Sequence, residues 1–194
     1  MAIIQLASIG NVDQEMMQMI GRHVKEMFGL EVRLYTSLPV PDYAFDEKRK
    51  QYNSTEILKH IAPLCSLDVS KFLAVTDADL FIPMMTFVYG QAQLSGKVAI
   101  VSLARLTQVF YGLAPNKDLV VRRTRKEVSH ELGHTFGLVH CSNRTCLMSL
   151  STEIMQIDVK SEDLCRSCWI VLQESLTALK KETNKNKNVL ELHR

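Results

Sequence analysis

The segment from His130 to Cys168 constrains the fold of this 194-residue chain more than any other part of it. The segment begins His130-Glu131-x-x-His134, and on an α-helix the two histidines lie one turn apart on the same face. Both imidazoles can therefore bind one metal ion from the same side. Glu131 lies about 100° around the helix from His130, which places it beside a metal-bound water and not on the metal. That position predicts a general base.

A third histidine follows a predicted helix end. Gly137 marks that end, because glycine adopts the left-handed conformation without a steric penalty. The chain can then turn back and bring His140 to the same ion. Three histidines with an open fourth position form the ligand set of a catalytic zinc site, whereas structural sites are closed by four ligands. The alternative is that these are ordinary core and surface histidines, and it requires both Gly137 and His140 to match by chance.

Four of the five cysteines form two close pairs, Cys141-x4-Cys146 and Cys165-x2-Cys168. Two such pairs separated by a long loop predict a closed, tetrahedral zinc site with four thiolate ligands. The alternatives are two disulfides or a redox C-x-x-C motif, but nothing else in the chain indicates a secreted protein or a thioredoxin. Because Cys141 directly follows His140, the two sites must be neighbours. We expect the second metal to brace the turn that bears the third histidine.

The run H-E-x-x-H-x-x-G-x-x-H-C-x4-C-x-M, followed by C-x-x-C, resembles the archaemetzincins, a branch of the metzincin zinc peptidases. Weaker similarity extends over most of the chain and includes segments 49–52, 87–92 and 102–106. The resemblance implies that His130, His134 and His140 bind a catalytic zinc and that Glu131 is the base. It also implies that Met148 is the Met-turn methionine and that a second zinc has four cysteine ligands, Cys141, Cys146, Cys165 and Cys168. Several metzincin branches have a tyrosine two residues after that methionine. Here the position is Leu150, so we expect no tyrosine ligand or proton donor from it.

The resemblance implies a zinc-dependent metallopeptidase that contains two zinc ions per chain and hydrolyses peptide bonds with a water activated by Glu131. No propeptide is evident that would restrain a protease. We therefore expect the shape of the cleft to restrict the substrates to short or unfolded peptides. A zinc-containing peptide-binding or interaction protein with little turnover is the alternative. Glu131 argues against it, because a pure metal-binding site needs no base there. Hydrolysis of a non-peptide amide would use the same residues, and aminopeptidase and endopeptidase action both stay open.

Composition places few limits on partners. The chain is 46% hydrophobic and 23% charged with a net charge of +2, which is ordinary for a globular protein. Neither a membrane-spanning segment nor a signal peptide is evident. We therefore expect a cytoplasmic monomer that acts on peptides without a membrane or nucleic acid. A basic cluster in the predicted zinc helix lacks the interleaved aromatics of a nucleic-acid site, and we expect it to be a solvated helix face. The cluster consists of Arg122, Arg123, Arg125 and Lys126.

Hydrophobic periodicity predicts an α/β fold. The predicted strands are 2–9, 30–35, 71–75, 86–92 and 98–102, and the predicted helices are 12–28, 54–60, 118–136 and 161–181. The resemblance implies a metzincin-like mixed, mostly parallel sheet of about five strands with backing and active-site helices. It also implies a single catalytic domain, 1–194, with an N-terminal subdomain of about 1–137 and a small C-terminal subdomain of about 138–194. Strand 86–92 would be the edge strand along the cleft, where an extended peptide can pair with it.

Overall fold

The computed structural model describes residues 2–66 and 68–192, and it describes the side chains of the last helix to residue 183 and at residue 185. These ranges contain nine strands and five α-helices. The strands are β1 Ile3–Ile9, β2 Glu31–Leu34, β3 Phe45–Asp46, β4 Gln51–Asn53, β5 Lys71–Thr76, β6 Leu80–Ile82, β7 Met85–Val88, β8 Gly90–Ala92 and β9 Val98–Ser102. The helices are α1 Gln14–Phe28, α2 Ser54–Ile61, α3 Lys117–Thr135, α4 Ile154–Val159 and α5 Arg166–Leu192. Within the described ranges, no helix is long and apolar enough to cross a membrane.

The main sheet has five strands in the order β2-β1-β5-β9-β8. The first four are parallel to their neighbours, and β8 is antiparallel to β9 at the edge. Strands β5 and β9 are buried at every residue, because α1 and α3 cover one face of the sheet and α2 covers the other. The predicted mixed, mostly parallel sheet of about five strands is confirmed.

A second sheet, in the order β3-β4-β6-β7, was not predicted. Its strands are two to four residues long, too short for an alternating pattern to stand out. The single predicted strand 86–92 is wrong: Tyr89 separates β7, which pairs with β6 in the second sheet, from β8 in the main sheet. The apolar run is continuous across the break, so it does not reveal the change of partner.

Helix α3 bears the predicted basic cluster, and the prediction of a solvated face is wrong for two of its members. Arg123 donates to both carboxylate oxygens of Asp158 at 2.7 Å, and Lys126 donates to the Ile157 carbonyl at 2.8 Å. These cations are buried because they attach α4 to α3. Arg123 and Lys126 therefore offer no basic surface to a nucleic acid.

Helix α5 begins at Arg166, five residues later than predicted, and extends to Leu192. Ser161 caps a local turn instead, since its hydroxyl accepts from the Asp163 N–H at 3.0 Å. Before the helix, the Cys165 N–H donates to the Cys146 sulfur at 3.3 Å. The N–H groups at the start of a helix have no partner within the helix, and a cysteine sulfur accepts from this one.

Candidate metal centre and cleft

His130, His134 and His140, here called the histidine cluster, converge beside a cleft. The first two lie on α3 and the third on the loop that follows. The Nε2 atoms of His130 and His134 are 3.1 Å apart, and one ring nitrogen from each of the three lies within 4.8 Å of the others. Nitrogens on one tetrahedral zinc lie about 3.3 Å apart, given Zn–N bonds of about 2.0 Å. The cluster therefore fits a single zinc ion.

Backbone carbonyls orient the two helix histidines. His130 Nδ1 lies 3.0 Å from the Leu147 carbonyl and His134 Nδ1 lies 2.7 Å from the Leu138 carbonyl. A carbonyl only accepts, so Nδ1 must donate, which leaves the Nε2 lone pair for a metal. Burial lowers the pKa of His130 well below its ordinary range, and burial also lowers those of His134 and His140. The histidine cluster is thus held in the neutral form that binds metals.

The end of α3 is fastened by a lysine that the sequence did not single out. Gly137 has a φ of 89°, as the predicted helix end requires. Lys71, at the start of β5, donates from Nζ to the Thr135 carbonyl at 2.6 Å and to the Gly96 carbonyl at 2.7 Å. Burial lowers the pKa of Lys71 to about 8. Its side chain ties the last turn of α3 to the β8–β9 loop, and a cation in a buried strand was the only signal for this role.

Glu131 lies against the edge strand of the main sheet. A Cβ added at Gly90 would lie 2.5 Å from Glu131 Cγ and 2.7 Å from the Ile100 carbonyl oxygen, so only glycine leaves room for this carboxylate. Glu131 is 5% exposed. Burial raises its pKa well above the ordinary range, the charge of Glu127 adds to this, and the charge of Lys160 opposes it.

A cleft of about 470 Å³ opens in front of the histidine cluster. Its walls come from β7 and β8, the inner face of α3, and the loop 150–152. Met85, Leu94, Val139 and Leu150 are exposed apolar residues on its lining. Leu150 is 53% exposed on that lining, two residues after the Met-turn methionine, so the structure places an apolar side chain where some metzincins have tyrosine.

Cys141, Cys146, Cys165 and Cys168 form a second group, here called the cysteine cluster. One sulfur from each lies within 4.8 Å of the others, and all four are free thiols. The Cys141 and Cys165 sulfurs are 3.8 Å apart. That separation matches sulfurs on a tetrahedral zinc, about 3.8 Å for Zn–S bonds of about 2.3 Å, and far exceeds a disulfide bond of about 2.05 Å. The backbone N–H of Cys168 lowers the pKa of Cys165 to about 7, which favours its thiolate form.

The segment 146–148 contacts both clusters. Cys146 belongs to the cysteine cluster, and the Leu147 carbonyl orients His130. The Met148 carbonyl accepts from the Cys141 N–H at 2.9 Å. The Met148 side chain is buried under α3, where a Cβ added at Gly133 would meet its sulfur at 2.7 Å. This segment therefore couples the geometry of the two clusters.

Known proteins resemble this chain over most of its length. The model for peptidase family M54 matches residues 42–174. The archaemetzincin of Methanocaldococcus jannaschii is 39% identical over 171 residues, which cover 88% of this chain and 93% of that protein. The chain belongs to the archaemetzincins, peptidase family M54. It is therefore a zinc metallopeptidase, a hydrolase that acts on peptide bonds.

Solved structures agree with this assignment. The crystal structure of the archaemetzincin from Methanopyrus kandleri matches with a TM-score of 0.78 at 34% identity and covers 91% of this chain and 96% of that one. A zinc-dependent peptidase from Methanocorpusculum labreanum matches with a TM-score of 0.80 at 28% identity, covering 87% and 99% of the two chains. These likenesses confirm the predicted fold class, including a small C-terminal part that contains the cysteine cluster.

Proposed function

We propose that the histidine cluster holds the catalytic zinc, that Glu131 is the general base, and that the substrates are short or unfolded peptides. The convergence of three imidazole nitrogens beside a buried glutamate in the cleft is the observation that supports this proposal. Zinc at those nitrogens would polarise the scissile carbonyl and lower the pKa of a water molecule. Glu131 takes the proton from the attacking water and returns it to the leaving amine.

The edge of β8 supports an extended substrate. The Ser102 N–H donates to the Tyr89 carbonyl at 2.8 Å, and the Gln93 N–H donates to the Val98 carbonyl at 3.0 Å. In an antiparallel pair these contacts alternate, so the backbone groups of Gly90 and Ala92 face away from β9. A peptide can pair with them only if its own backbone is extended and unpaired. Folded proteins rarely present such a segment, which favours short or unfolded substrates.

The cysteine cluster is proposed to hold a second, structural zinc, which makes two ions per chain. The cluster provides four sulfur ligands and so leaves no open position for substrate. It joins the loop after α3 to the first turn of α5, as expected for a C-terminal subdomain of about 138–194 that is braced by metal.

The same two clusters support a proposal about location and assembly. Four thiolates bind zinc only where they stay reduced, so we propose a cytoplasmic protein. All the proposed metal ligands come from one chain, so we propose that the protein is a monomer. Sedimentation of the zinc-loaded protein measures the second point, and a stable dimer would contradict it.

The test of the proposed function is cleavage of a peptide library by the zinc-loaded protein, with products identified by mass spectrometry. A chelated sample and a His134→Ala variant serve as controls, and both should lose cleavage. Cut sites inside N-terminally blocked peptides indicate endopeptidase action, whereas loss of single N-terminal residues indicates aminopeptidase action. If the zinc-loaded protein cuts no peptide but still binds peptides, the peptide-binding alternative is correct.

A further inference from the structure

One acidic side chain in the cleft has no part in the proposed chemistry. Glu127 lies one helical turn before Glu131 on α3, is 3% exposed, and lines the cleft. Among the described residues that line the cleft, Glu127 and Glu131 are the only acids, and none is a lysine or an arginine. Because Glu131 is assigned to the base, Glu127 is a second carboxylate in the cleft that the proposed chemistry does not use.

The partner of Glu127 is a buried lysine that is not among the residues lining the cleft. Lys160, just after α4, places Nζ 2.7 Å from Glu127 Oε1 in an ion pair that is not directed as a hydrogen bond. The Lys160 side chain has no exposed surface, and Lys160 does not line the cleft. Of this pair, only Glu127 lines the cleft. Apolar residues often replace a buried ion pair without loss of stability, so stability alone does not account for this pair.

A hydroxyl group on the loop 150–152 adds an acceptor to the cleft. The Ser151 hydroxyl is buried without a hydrogen-bond partner and lines the cleft. Hydroxyl and carboxylate oxygens all accept hydrogen bonds, whereas ammonium and guanidinium groups have three and five N–H donors and no acceptor. With two acids and no lysine or arginine among the described lining residues, the cleft favours a cation over a carboxylate.

We propose that Glu127 is a specificity-determining residue that binds a cationic group of the substrate, an ammonium or a guanidinium. The inference rests on the proposed peptidase function of the same cleft. Side chains four residues apart on a helix are about 6 Å from each other, and an extended residue spans about 3.3–3.6 Å, so we expect the cation about two residues from the carbonyl that Glu131 acts on. Two sources have this chemistry: a lysine or arginine side chain near the scissile bond, and the α-amine of a short peptide.

Binding to zinc-loaded Glu131→Gln protein tests this without turnover. N-acetylated fluorescent peptides with lysine or arginine at successive positions are compared by anisotropy with matched peptides that contain acetyl-lysine or citrulline. A charge-assisted hydrogen bond predicts roughly 10- to 100-fold tighter binding of the charged member at one position. A second pair, without lysine or arginine, differs only in whether its N-terminus is free or acetylated. A preference in the first set assigns the cation to a side chain, and a preference in the second assigns it to the α-amine.

The double variant Glu127→Gln/Lys160→Met, in the same background, removes both charges and leaves no unpaired buried ion. The ratio of Kd between neutral and charged peptides should fall to about one. Glu153→Gln, which removes an exposed acid beside the loop 150–152, is the matched control and should keep the ratio. Equal binding of charged and neutral peptides in both sets overturns the inference, whether or not the double variant folds. A preference for charged peptides that survives in a folded double variant also overturns it. Failure of the proposed function is distinct, because cleavage by the parent would then be absent while the binding preference persisted.

Discussion

His140 of the histidine cluster and Cys141 of the cysteine cluster are adjacent in sequence, yet the two clusters have different surroundings. The histidine cluster faces a cleft and has three ligands, whereas the cysteine cluster has four ligands and fastens the loop after α3 to α5. The first arrangement leaves a position for chemistry, and the second leaves none. Because Leu147 and Met148 connect the clusters, the closed site supports the open one. The comparison predicts asymmetric effects: loss of the cysteine cluster should damage both sites, and loss of a histidine should damage one.

Cys146→Ser should have the largest effect on stability. Binding of structural zinc contributes directly to folding, so we expect a loss on the order of 5 kcal/mol or more in the free energy of unfolding. The variant should also lose metal from the histidine cluster, because the segment 146–148 loses its anchor. His140→Ala should spare the thiolate zinc and change stability by much less. Denaturant unfolding combined with metal counts measures both, and a Cys146→Ser protein as stable as the parent would contradict the structural role.

Acid sensitivity provides a second contrast, because another buried histidine, His23, does not line the cleft. His23 accepts from Arg125 at Nδ1 over 3.1 Å and contacts the Ser129 hydroxyl through Nε2 at 2.7 Å. Burial and then the charge of Arg125 lower its pKa to about 4. Unfolded His23 takes a proton below about pH 6.5 while the folded form stays neutral, so stability falls between about pH 6.5 and about pH 4, by up to roughly 3 kcal/mol.

His23→Gln removes this titration and leaves the histidine cluster unchanged. The stability difference between parent and variant should therefore shift against the parent as the pH falls from about 7 to about 4.5. Urea unfolding at the two pH values measures the shift. If parent and variant lose stability in parallel, the acid sensitivity of the protein arises elsewhere, as in the metal ligands.

Gly90→Ala should have a smaller effect on stability but a specific effect on activity. Its methyl group would overlap Glu131 and the Ile100 carbonyl, and such overpacking costs about 1–3 kcal/mol. Peptide cleavage should fall because the base is displaced. Gly21→Ala on α1 is the matched control: its Cβ would make ordinary contacts at 3.7 and 3.8 Å, and alanine favours a helix by about 0.5–1 kcal/mol. Equal cleavage by the two variants would show that the close approach of β8 to Glu131 is unimportant.

The sequence predicted those features that depend on local spacing. His130, Glu131 and His134 share one helix, and the two cysteine pairs have short internal spacings, so both clusters could be expected before their geometry was known. Features that depend on distant partners were missed. The break at Tyr89 depends on β6, and the burial of Lys126 depends on α4. The ion pair of Glu127 with Lys160 joins residues 33 positions apart, and no local pattern indicates it.

Glu131→Gln tests the central claim of this account most directly. The amide has a similar shape and Glu131 is proposed not to bind metal, so zinc content should be unchanged and stability should stay within about 1 kcal/mol of the parent. Peptide cleavage should fall by about 10² to 10⁴, because that is the usual contribution of a general base. The loss should appear in kcat more than in KM, since proton transfer occurs on the way to the transition state. Full turnover by the zinc-loaded variant, on a peptide that the parent cleaves, would show that Glu131 is not the base.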